Sequence, residues 1–134
     1  MATLFVARSA NLSAWASDVG LSKHVFKVGI TEEPVADVIA RGWAGETDWT
    51  LVKKQDGVDL DEEAAIQRLA GREKMIDPGY YPRLKGATGI FKVVPDNVTR
   101  HILLGRALAG ESERTPIKIK VADFATYLMK NAGG

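Results

Sequence analysis

The chain has 134 residues, one domain's length, and its 46% apolar and 26% charged content is that of an ordinary globular protein with one buried core. No apolar run approaches the roughly 18 residues that a membrane-crossing helix needs, and MATLFVARSAN lacks the basic leader of a signal peptide. Cysteine is absent, which excludes a disulfide framework, a thiolate metal site and a cysteine nucleophile; the expectation is a reducing, cytoplasmic setting with no membrane contact.

In chain order, TLFVAR (3–8) is rich in β-formers and reads as a first strand. ANLSAWASDVGLS (10–22) is small, polar and glycine-bearing, a loop with one helical turn at most. HVFKVGI (24–30) alternates, with Val25, Lys27 and Gly29 on one side and Phe26, Val28 and Ile30 on the other, so a strand with one apolar face is expected. Thr31 stands at a cap position and Pro34 suits a first helical turn, which predicts a helix over about 33–41 that Gly42 and Gly45 stop. DWTLVKKQ (48–55) reads as a third strand turned by Asp56-Gly57. A second helix follows over about 61–74, capped by Asp59 or Asp61, with Ile66, Leu69 and Ala70 on its buried face. The segment 76–89 is a loop rich in proline and glycine, and GIFKVV (89–94) is a fourth strand. Pro95-Asp96 opens a third helix over about 96–109, GESERTP is a polar connector, IKIKV (117–121) alternates like a strand, and 122–131 reads as a terminal helix.

This order predicts an α+β fold: a small central mixed or antiparallel sheet of three to four strands flanked by helices, with a C-terminal strand-helix appendage. Residues 1–110 would form the domain and 111–134 an extension packed on it. The net charge of +1 is uneven, because residues 1–82 hold 9 Lys/Arg against 13 Asp/Glu and residues 83–134 hold 9 against 4. A basic second part suits a polyanion such as nucleic acid, although short domains also show such imbalance by chance.

The punctuation of these elements resembles the GIY-YIG endonuclease superfamily, more narrowly its phage-type subgroup, whose second strand tends to read YKIGIT before nPxxR. The counterpart is Phe26-Lys27-Val28-Gly29-Ile30-Thr31, then Glu33-Pro34. DEEAAIQRLAGR (61–72) matches the family's glutamate-bearing helix, and Gly86-Ala87-Thr88-Gly89-Ile90-Phe91-Lys92-Val93 matches its later strand. The likeness covers about residues 3–105.

The resemblance implies a phosphodiester hydrolase that uses a tyrosine pair, a helix arginine and a glutamate holding one divalent ion, Mg²⁺ or Mn²⁺. Gly29 would let a phosphate approach the strand backbone, or it merely relaxes a strand end. The first tyrosine position falls at Phe5, which has no hydroxyl. The second falls at Lys27, either a phosphate-binding point charge, a base if burial lowers its pKa, or a solvated lysine on a polar strand face. The arginine position falls at Asp37, a reversal of sign; Arg41 lies one turn later on the same face, and an Asp37–Arg41 pair at i,i+4 would stabilise the helix by about 0.2–0.5 kcal/mol. Glu63 fits the metal-holding glutamate, with Gln67 in a histidine's place, and Glu62 fits it equally if the alignment slips by one.

Outside the motifs, the loop holding Tyr81, Arg83 and Lys85 interleaves aromatics with cations, as surfaces that stack bases and hold phosphates do; an ordinary surface loop gives the same composition. Lys27, Arg41 and Glu63 are thus the catalytic candidates, with His24 as a substitute base, and Gly29, Thr31, Tyr81, Arg83 and Lys85 are the substrate-binding candidates. The expected function is a divergent domain that acts on or binds DNA, its hydrolysis weak, altered or lost. The alternative is a non-catalytic module that binds nucleic acid or a protein.

Overall fold

A computed structural model describes residues 2–110 and 118–133. Eleven elements run in the order β1 (Ala2–Ser9), α1 (Ala10–Asp18), β2 (Val25–Thr31), α2 (Val35–Arg41), β3 (Trp49–Val58), α3 (Glu62–Ala70), β4 (Lys74–Met75), a 3₁₀ turn (Pro82–Leu84), β5 (Ile90–Lys92), α4 (Pro95–Leu108) and α5 (Val121–Asn131). The α+β class is as expected. The sheet is larger than expected: five strands in the order β3-β1-β2-β5-β4, antiparallel throughout. The additional strand is the two-residue β4, which the sequence suggests only as the end of α3.

Helices cover both faces of this sheet. Leu4, Val6, Phe26, Val28, Phe91 and Val93 form one core with α3, α4 and α5. Phe5, Ala7, Val25 and Ile90 form the other with α1 and α2. This is why β2 is buried from Val25 through Gly29 rather than on one face only.

Four local expectations are corrected. Residues 10–18 are helix because the Ser9 hydroxyl accepts from Leu12 N at 3.1 Å, a side-chain N-cap, and Leu12 and Ala16 bury on one face. Thr31 does not cap α2. It ends β2 opposite Thr3, and its hydroxyl accepts from Glu33 N at 3.0 Å. Asp56-Gly57 is not a turn: β3 continues to Val58, and the register steps from Leu4–Gln55 to Ala2–Val58, so the extra residue forms a bulge. Gly57, at φ 71°, supplies the left-handed backbone there. Residues 118–120 are not strand; Asp123 accepts from Lys120 N at 2.8 Å and α5 begins at Val121. Residues 111–116 of the polar connector and Ile117 of the alternating segment lie outside the described residues.

The α5 helix places Phe124, Ala125, Tyr127, Leu128, Met129 and Ala132 in the first core. No described helix is long and apolar enough to cross a membrane.

Candidate functional site

Lys27 is the most unusual side chain of the central strands. Strand alternation puts it beside Ala7 on the α1/α2 face, where it is only 5% exposed. Its ammonium donates to Val28 O at 3.1 Å and lies 5.5 Å from the centre of the Trp43 ring. Trp43 in turn stacks on Phe5 at 5.7 Å and meets Trp49 edge-on at 5.2 Å. A cation–π contact of this kind offsets part of the cost of burying the charge. Gly89 makes the close approach possible: a Cβ there would stand 2.8 Å from Lys27 Nζ and 2.7 Å from Val28 O, and its φ of 74° also favours glycine.

Burial holds the Lys27 ammonium below its ordinary value of 10.5, while the Glu62 carboxylate acts in the opposite direction. A lysine depressed in the fold destabilises it increasingly as pH falls through the folded pKa, and that penalty fades as pH rises towards 10.5. Lys27→Met is therefore expected to match or exceed the parent in stability at neutral pH, by up to about 2 kcal/mol. The advantage should shrink on going to pH 10, by at most about 1.4 kcal/mol per pH unit, when urea unfolding is followed across the range. A large loss of stability at neutral pH would show that the ammonium's contacts outweigh its desolvation.

Gly29 lies opposite Phe5 in the β1–β2 ladder. A Cβ on Gly29 would come within 2.6 Å of Phe5 Cζ. The Phe5 ring therefore covers the α-carbon of Gly29.

Glu62 and Glu63 are both exposed and stand in the first turn of α3, whose N-cap is Asp61, accepting from Ala64 N at 3.0 Å. They line a cleft of about 530 Å³ with Asp61, Ile66, Met75 and Thr88. Neither Lys27 nor Gly29 lines it. Of the two glutamates it is Glu62 that acts on Lys27 electrostatically. Among the described residues there is no group of three His, Cys, Asp or Glu side chains placed to share an ion. A divalent ion at α3 would accordingly be held by Glu63, or Glu62 beside it, with water completing the shell, a weak arrangement.

The remaining candidates divide. Arg41 pairs with Glu33 at 2.5 Å rather than with Asp37, and both partners are exposed. Arg83 is engaged: it pairs with Glu46, donates to Ala44 O at 2.7 Å and lies over Trp15 at 5.9 Å. Tyr81 packs edge-on against Trp15 at 5.7 Å, on the second core. These two hold the 76–89 loop to the body. His24 stacks on Phe124 at 4.9 Å, on the face of the sheet opposite Lys27. Lys85 is exposed and lines a cleft with Arg41 and Trp43.

Sequence reasoning did not single out Trp43, which joins Phe5, Lys27 and Trp49. Its only sequence signal is an indole just beyond a glycine-terminated helix. No family model, curated protein or solved structure matches the chain.

Proposed function

We propose that this chain is a divergent GIY-YIG-like domain that binds DNA, with phosphodiester hydrolysis weak or lost. One observation carries the loss of hydrolysis: the Phe5 ring stands over Gly29, within 2.6 Å of where a Cβ would lie, so the strand backbone that should receive a phosphate is occupied by a side chain without a proton to move. The neighbouring Lys27 fits the same reading, because its ammonium donates to Val28 O and faces an indole rather than solvent. A Mg²⁺ or Mn²⁺ ion, where bound at Glu63, would supply water activation and charge screening. DNA binding is supported by the excess of cations over carboxylates after residue 82, nine against four.

The test uses supercoiled plasmid with Mg²⁺ or Mn²⁺, beside Glu63→Ala. The expected result is retardation of the plasmid that weakens steeply with salt, and no nicking by either protein. Nicking by the parent that disappears in Glu63→Ala would overturn the loss of hydrolysis. Absence of retardation at low salt would remove DNA as the ligand and leave a protein-binding module.

A further inference from the structure

The second cleft, beyond Trp43 from Lys27, has the features of a phosphate site that the family motifs do not include. It has a volume of about 420 Å³ and runs between the end of α2 with its following turn, residues 41–47, and residues 85–87. Arg41 stands on one wall and Lys85 on the other.

The Lys85 side chain is exposed and reaches the turn across the cleft. It lies across Gly45, where an added Cβ would stand 2.7 Å from Nζ, 3.0 Å from Cε and 3.2 Å from Cδ. Any other residue at 45 would push the ammonium away. Lys85 itself has φ 50° and closes the 3₁₀ turn by donating its N–H to Pro82 O at 3.0 Å. Across the cleft Ala44 has φ 57° and Glu46 N donates to Trp43 O at 3.0 Å, a tight turn with a non-glycine residue in a disfavoured conformation. Two such residues, one on each wall, fix the two rims of the cleft.

The charges complete the case. Among the described residues no ion pair or hydrogen bond holds the Lys85 ammonium. The carboxylate lining the cleft, Glu46, is already satisfied on both oxygens, by Arg83 on Oε1 and by Asn11 Nδ2 at 3.0 Å on Oε2. Arg41 pairs with Glu33 in an exposed ion pair, with the Asp37 carboxylate also acting on it, and exposed pairs of this kind add little stability. An unpaired ammonium lining the same cleft as a guanidinium in an exposed ion pair suits a tetrahedral dianion or a phosphodiester.

We propose that this cleft binds phosphate through Lys85 and Arg41. The inference rests on the DNA-binding reading only for the source of the phosphate, a duplex backbone rather than a free phosphate ion or small phosphate ester.

Two measurements separate those sources. In the first, amide resonances of the ¹⁵N-labelled full chain are followed during titration with inorganic phosphate, against chloride at equal ionic strength. Saturable shifts at Gly45 and Gly86 are expected, and they should be lost in Lys85→Gln, whose exposed side chain leaves the fold intact. In the second, retardation of a duplex oligonucleotide is compared for the parent, Lys85→Gln and Lys53→Gln, the last on the opposite face of the sheet. Lys85→Gln should bind about tenfold more weakly, with the salt slope reduced by about 1, and Lys53→Gln should not. Absence of phosphate-specific shifts at the cleft overturns the inference, whatever the duplex does. Phosphate shifts without any duplex binding keep the cleft as a small-phosphate site and overturn the DNA reading instead. Phosphate shifts with duplex binding indifferent to Lys85→Gln keep the cleft and exclude the duplex as its ligand.

Discussion

Leu128→Ala is expected to lower the free energy of unfolding by about 3 kcal/mol, and a chain ending at Gly110 is expected not to unfold cooperatively at all. Leu128 is fully buried in the core shared by β1, β2, β5 and three helices. Truncating such a leucine removes its transfer free energy and leaves a cavity that the stiff sheet cannot close, a loss of about 2–5 kcal/mol in comparable cores. Its neighbour Phe124 stacks on Phe26 at 5.4 Å, so the helix contributes ring contacts as well as area. Removing α5 would uncover Phe26 and take Phe124, Ala125, Tyr127, Leu128 and Met129 out of the core, and a domain of this size has a total stability of only about 5–15 kcal/mol. Urea unfolding followed by far-ultraviolet circular dichroism measures both effects. If the truncated chain unfolded with the midpoint of the whole, α5 would add nothing to the stability of the core.

The elements differ in how far local signals in the sequence announce them. The strands β1, β2 and β5 are legible because β-formers and alternation are local properties. The helices α3 and α4 announce themselves through Asp61 as a cap and Pro95 in a first turn. The α1 helix does not, since Ala, Ser and Asn dominate it and its stability comes from Ser9 and from burial of Leu12 and Ala16. Asp56-Gly57 carries the dipeptide of a tight turn, yet pairing with β1 on both sides makes it a bulge; that outcome depends on residues some fifty positions away. The site shows the same limit. Gly29, Lys27 and Glu63 can be picked out by motif. That Phe5 covers Gly29, that Lys27 is buried beneath Trp43, and that Arg83 is spent on Glu46 are consequences of tertiary placement. Arg41 and Lys85, from separate stretches of the sequence, line one cleft, which is likewise a consequence of the fold.

Glu73→Ala is expected to cost about 3 kcal/mol, because this carboxylate is the joint between three helices. Glu73 is 4% exposed, just beyond the end of α3, and its own N–H donates to Leu69 O at 2.8 Å. Its Oε1 accepts from Tyr127 of α5 at 2.6 Å and from Asn97 of α4 at 2.9 Å, and its Oε2 from Val94 N at 3.4 Å. Val94 is the N-cap position of α4 and has no side-chain oxygen to offer; Glu73 accepts the N–H of Val94 and brings a carboxylate to that helix end from another part of the chain. Alanine would leave the buried Tyr127 hydroxyl without its acceptor, at about 1–3 kcal/mol for a typical unmet group, and would remove the acceptor of the part-buried Asn97 and Val94 donors as well. Glu73→Gln, which keeps one carbonyl oxygen, should cost less. Burial, and then the bond to Glu73, raise the Tyr127 hydroxyl above its ordinary value of 10.0. A raised pKa means the folded state keeps the proton longer, so this stabilisation is complete below pH 10 and declines as pH climbs beyond it, by at most about 1.4 kcal/mol per unit. Tyr127→Phe should lower stability at pH 7 by about 1 kcal/mol and flatten the alkaline decline. If urea unfolding between pH 7 and 11 shows the phenylalanine variant falling as steeply as the parent, Tyr127 is not the group that loosens α5 from the sheet.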